Sequence, residues 1–74
     1  MAKPISKLHQ RFGLKIKQLR NLNNKQSQED LAFKIGVDRS YLGFVERGER
    51  NPTLDKMGKI AKALKVSIKA LFDF

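Results

Sequence analysis

Residues 27–48, SQEDLAFKIGVDRSYLGFVERG, read as two short capped helices joined by a tight turn. Ser27 is an N-cap type whose hydroxyl accepts from the free amides of a first helical turn. Asp30, three residues on, reaches back to the cap in a variant of the capping box. Leu31, Ala32 and Ile35 give that helix its buried face, and Ala32 is small enough for a second helix to cross closely. Gly36 stops it, because glycine tolerates a positive φ. Val37 precedes the next cap, Asp38, and as an apolar residue there it pins the entry angle of the second helix. Leu42 and Val45 hold this helix down and Gly48 ends it, so the spacing predicts a helix-turn-helix over about residues 27–47. The face opposite Leu42 and Val45 offers Arg39, Ser40, Tyr41, Gly43, Phe44 and Arg47 to solvent. Gly43 costs about 1 kcal/mol of helix propensity relative to alanine. Close approach of another body, such as the edge of a DNA groove, accounts for that cost. Phe44 fits three places equally: the core, the DNA side, or an interface.

Working outward, Leu8, Phe12, Ile16 and Leu19 recur at helical spacing and predict a first helix over residues 6–21, with Gly13 as an internal weak spot. The polar string at 21–26 is a loop. Downstream, Asn51-Pro52 is a break, and Thr53 caps a helix striped by Leu54, Met57, Ile60, Ala61 and Leu64. Ser67 caps a last short helix with Ile68, Leu71 and Phe72 apolar. No stretch carries a strand signal. The expectation is an all-α fold, a compact domain of about five short helices with short connections. It is one domain over residues 1–74, with its core at 12–72. His9 reads as a surface residue. Lys56, Lys59, Lys62 and Lys65 read as a solvated face, with Asp55 and Lys59 a favourable i,i+4 pair.

Composition narrows the partners. The chain has 74 residues, no cysteine, one histidine and a formal charge of +9. Disulfides, thiolate metal sites and histidine-rich metal sites are therefore excluded, and no metal or cofactor is expected. Lys3, Lys7, Arg11, Lys15, Lys17, Arg20 and Lys25 all precede the first acid, Glu29. Such a basic half attracts polyanions, either nucleic acid or an anionic membrane surface. No apolar run approaches the roughly 20 residues of a membrane span, and residues 1–10 lack the apolar stretch of a secretory signal, so a cytoplasmic protein is expected. Paired catalytic carboxylates, a phosphate-cradling glycine loop and a cysteine nucleophile are all missing, which argues against an enzyme.

The stretch from residue 27 to 48 resembles the helix-turn-helix of the lambda-repressor and Cro type, the XRE family of transcriptional regulators. The likeness runs from about Phe12 to Phe72. It takes in Ile16, Leu19 and Arg20, the opening Ser27-Gln28-Glu29, the closing Glu46-Arg47-Gly48, and Asn51-Pro52-Thr53-Leu54. Within that family, restriction–modification controller proteins are similar in size and in this segment, and phage-type and cellular regulators share it. The resemblance implies a lambda-repressor-like DNA-binding domain that places its recognition helix, about residues 39–47, in the major groove of double-stranded DNA. It implies base contacts from Arg39, Ser40, Tyr41 and, on the DNA-side reading, Phe44. It implies phosphate contacts from Gln28, Arg50 and Asn51 and an internal pair between Arg20 and Glu46; Arg47, on the solvent-facing side, is expected to join the phosphate contacts. Arginine chemistry agrees, since guanidinium matches the O6 and N7 acceptors of guanine.

Phe74, at the chain end, is difficult to bury within one domain. Leu71, Phe72 and Phe74 are therefore expected at an isologous homodimer contact, with a palindromic operator as the DNA site. Two other readings remain: an antitoxin-like protein-interaction module, and a basic domain that binds polyanions without sequence preference. No small-molecule effector is evident.

Overall fold

The computed structural model describes residues 3–22 and 25–74. Of the loop expected at 21–26, Asn23 and Asn24 lie outside the described residues. Four α-helices and a terminal 3-10 helix follow in order: α1 (Lys7–Leu22), α2 (Gln28–Ile35), α3 (Arg39–Glu46), α4 (Leu54–Ala63) and Ile68–Phe72. The fifth helix expected from the sequence is thus a 3-10 turn. Five residues with a serine cap suit that tighter winding, which is used in short pieces.

Most helix starts follow the capping chemistry. The Asp30 N–H donates to Ser27 Oγ at 3.0 Å and the Ser27 N–H donates to Asp30 Oδ2 at 3.2 Å, completing a reciprocal capping box. Thr53 Oγ1 accepts from the Lys56 N–H at 3.1 Å, and Ser67 Oγ from the Ala70 N–H at 3.2 Å. Gly36 ends α2 in the left-handed region at φ 73°. Asp38 departs from expectation. It holds the N-cap backbone position of α3, but its exposed carboxylate makes no cap hydrogen bond. The start of α3 relies instead on Val37, packed against the core just before it.

Phe12, Ile16, Leu31, Ala32, Ile35, Leu42, Val45, Ile60, Ala61, Leu64 and Leu71 form the core. α1 packs on α3, α2 on both α3 and α4, and the 3-10 helix closes against α1 and α4. Three apolar expectations change. Leu8 and Leu54 are 58% and 71% exposed, because each lies in the first turn of its helix, beyond the edge of the packed layer. Leu71, expected at an interface, is fully buried and belongs to the core.

Gly13 is not a weak spot. It is buried in α1, and a Cβ built there would strike the backbone carbonyl oxygens of Val45 and Glu46. Only a glycine lets α1 cross the end of α3 this closely. Gly13→Ala is expected to lower the unfolding free energy by about 1–3 kcal/mol despite its better helix propensity. Urea denaturation checks this, and wild-type stability in the variant would refute the close crossing.

Candidate nucleic-acid interface

The exposed face of α3 is set from behind by a buried polar network. The Arg20 guanidinium grips Glu46 with two bonds, Nε to Oε2 at 2.7 Å and Nη2 to Oε1 at 3.0 Å. Its Nη1 donates to the Gln26 carbonyl oxygen at 2.8 Å. Gln28 Nε2 donates to Glu46 Oε1 at 2.8 Å. One buried carboxylate at the end of α3 therefore fastens α1, the start of α2 and the connecting loop. Gln26 is itself buried. Its side chain accepts from Lys34 Nζ at 3.2 Å and donates to the Ala63 carbonyl oxygen at 3.4 Å. Sequence reading placed it in a polar loop, and nothing local signals its burial.

The solvent-facing side of α3 carries fewer residues than expected. Arg39 and Ser40 are exposed at its first turn. Gly43 is buried, since the side chains of Arg47 and Gln28 lie over it; a Cβ there would stand 3.3 Å from Arg47 Nη1 and 3.7 Å from Gln28 Oε1. Tyr41 is half-buried against the core, with Lys56 Nζ 5.5 Å from the centre of its ring. Burial raises its phenol above the ordinary value, and the Arg50 charge opposes that shift.

Phe44 occupies none of its three anticipated places outright. Its half-buried ring lies under two guanidinium groups, Arg50 at 4.3 Å and Arg47 at 5.0 Å from the centroid. Such cation–π contacts orient planar cations over the ring. Arg47 Nε also reaches Glu49 Oε2 at 3.4 Å, and Arg50 Nη1 donates to the Glu49 carbonyl oxygen at 3.0 Å. Asn51 is exposed beside them, and its Oδ1 accepts from His9 Nε2 at 3.1 Å. His9 was read as a plain surface residue. The Ser6-x-x-His9 spacing marks a helix start, but its contact with Asn51 spans 42 positions and leaves no local trace. Arg39, Ser40, Arg47, Arg50 and Asn51 thus lie exposed along α3 and the turn that follows it, with Gln28 and Phe44 partly exposed. Among the described residues no group of acids, histidines and cysteines is placed to hold a metal ion, and no helix is long and apolar enough to cross a membrane.

Comparisons with known proteins place the family and the fold. A helix-turn-helix family model, HTH_3, matches residues 16–71. Control protein C.BamHI of Bacillus amyloliquefaciens is 48% identical over 63 residues, covering 85% of this chain and 78% of that protein. The crystal structure of the restriction–modification controller protein C.AhdI from Aeromonas hydrophila superposes with a TM-score of 0.81 at 46% identity, covering 85% of this chain and 94% of that one. SinR, a master regulator for biofilm formation solved in complex with DNA, superposes with a TM-score of 0.76 at 38% identity, covering 84% of this chain and 98% of that one.

The position of Tyr41 is open to direct titration. It is the only tyrosine and there is no tryptophan, so phenolate absorbance follows it alone. The folded protein is expected to ionise with a midpoint above 10.0, and Arg50→Ala to move that midpoint higher still. The unfolded phenol loses its proton near the ordinary value of about 10. Stability is therefore expected to fall as pH climbs from there through the folded midpoint. A folded midpoint at or below the ordinary value would refute the packing of this ring.

Proposed function

The chain belongs to the HTH_3 helix-turn-helix family and is a sequence-specific DNA-binding regulator of transcription; within that function, we propose that α3 lies in the major groove and that the protein is a restriction–modification controller. The observation that carries this reading is the pairing of an exposed Arg39-Ser40 edge on α3 with two arginines stacked on Phe44 beyond its far end. Arg39, Ser40 and Tyr41 read base edges. Arg47, Arg50 and Asn51 grip phosphates on the flank of the groove. Gln28 joins them, because a carboxamide has two N–H donors and Glu46 takes only one. Phe44 serves these contacts mainly by holding its two arginines in place. The controller assignment draws its support from the relatives named as control proteins at 40–48% identity.

Residues 1–74 act as a single DNA-binding domain with its core at 12–72, the protein works in the cytoplasm, and its chemistry is binding without catalysis. It binds as a homodimer on a palindromic operator. The folded chain measures 29 Å along its longest axis. Successive major-groove faces on one side of B-form DNA lie about 34 Å apart, so reading two of them takes two copies. Phe72 and Phe74 remain as the proposed contact: they are 41% and 50% exposed and their ring centres lie 6.4 Å apart.

Selection of duplexes from a random pool is expected to return an inverted repeat with half-sites about one helical turn apart. A selected pool without symmetry, or a monomer by sedimentation both with and without the selected duplex, would refute the dimer. Arg39→Ala is expected to lose about 1–3 kcal/mol of discrimination at particular base pairs while keeping non-specific binding. Unaltered operator choice by the variant would remove its base-reading role. Arg50→Ala is expected to weaken binding to every sequence and to lower the slope of log affinity against log salt by about one. An unchanged slope would contradict the phosphate assignment.

A further inference from the structure

The first turn of α1 meets the loop after α3 through one histidine. His9 lies half-buried between Ser6 and Asn51. Its backbone N–H donates to Ser6 Oγ at 3.1 Å, its Nδ1 is 2.7 Å from the same oxygen, and its Nε2 is 3.1 Å from Asn51 Oδ1. An amide oxygen only accepts, so the hydrogen in that last contact belongs to Nε2. In the neutral ring Nδ1 is then the acceptor, and it takes the hydroxyl hydrogen of Ser6. Ser6 thereby caps the helix and orients the imidazole together. The backbone around this contact is firmly placed. The Ile5 N–H donates to the Gly48 carbonyl oxygen at 2.8 Å, and Gly48 lies so close to α1 that a Cβ there would stand 2.7 Å from the Gln10 backbone nitrogen.

With Oδ1 of Asn51 held toward His9, the NH2 group is the end of the carboxamide left for solvent. The two ends of an asparagine side chain have nearly the same shape and opposite hydrogen-bonding character. A phosphate oxygen accepts from the NH2 end and is repelled by the carbonyl end. An unanchored Asn51 would present both. We infer that His9 is a positioning residue for DNA binding, which turns Asn51 so that only its N–H donors face the phosphate backbone. The inference rests on the reading of Asn51 as a phosphate contact. His9 touches no DNA in this role; it selects one of two orientations before the complex forms.

Two measurements test it. Nitrogen NMR of the free protein is expected to show the neutral His9 ring protonated at Nε2, and the opposite tautomer would overturn the inference whatever the fate of any variant. Affinity for the selected duplex is expected to fall about 3- to 10-fold in His9→Phe, the scale of one net hydrogen bond. The same change in an Asn51→Ala background is expected to have no further effect. His9→Gln, whose side-chain N–H reaches the same oxygen, is expected to restore wild-type binding. An equal loss with and without Asn51, or no rescue by His9→Gln, would show that His9 acts by another route. Should Asn51→Ala bind as wild type while Arg50→Ala binds weakly, the inference fails and the regulator reading stands. Wild-type binding by both Arg39→Ala and Arg50→Ala would instead overturn the interface itself.

Discussion

A guanidinium and a carboxylate withdrawn together from water hold this molecule in register. Arg20 and Glu46 are each under a tenth exposed, and two short bonds join them. Burying such a pair gains little net stability, since the desolvation of both ions offsets most of their attraction. What the pair supplies is geometry. Its charges demand partners, and the Gln26 carbonyl and the Gln28 amide meet that demand. No buried side-chain nitrogen or oxygen among the described residues is left without a hydrogen bond. Three segments, α1, the loop after it and the start of α2, are therefore tied to the last residue of α3. An apolar substitute would fill the volume without fixing the rotation of the helix, and that rotation decides which residues face outward.

The steric counterpart is the crossing at Gly13. There the backbone of α1 lies against the closing carbonyls of α3, with no side chain between them. The ion pair acts across the same two helices a little further along. Together they hold the end of α3 against α1 while its first turn, with Arg39 and Ser40, stays free. Rigid support of this kind matters for a surface that must match a groove in both position and angle.

Much of the local chemistry was legible in the sequence, although the Asp38 carboxylate makes no cap hydrogen bond. The capping box at Ser27 and Asp30, the caps at Thr53 and Ser67, and the left-handed Gly36 follow from rules that span a few positions. Periodicity found Phe12, Ile16, Leu42, Val45 and Ile60, but it assigned Leu8 and Leu54 to a core that ends one turn before them. A stripe gives the direction of burial and not its extent. The candidate site was legible as a set of residue types and illegible as a set of contacts. The i,i+3 spacing of Phe44 and Arg47 makes them neighbours, but nothing in it says that Arg50, beyond the helix end, lies over the same ring. The link from His9 to Asn51 and the burial of Gln26 depend on tertiary neighbours that no short window contains. The pairing of Arg20 with Glu46 was anticipated from family likeness, because spacing alone would not have matched residues 26 positions apart.

The final turn has a thermodynamic consequence. Leu71 plugs the base of the core while its neighbour Phe72 leans on Phe12 from outside, with ring centres 5.0 Å apart and much of its own surface in water. Adjacent residues thus belong to the interior and to the exterior at once. Whatever body covers the outer ring also clamps the inner leucine, so unfolding of this segment and departure of that body are coupled equilibria. By mass action, the melting temperature of such a protein rises with its own concentration when the covering body is another copy. A regulator that self-associates in this way would be fragile when scarce, and its own abundance would harden it against heat and proteolysis.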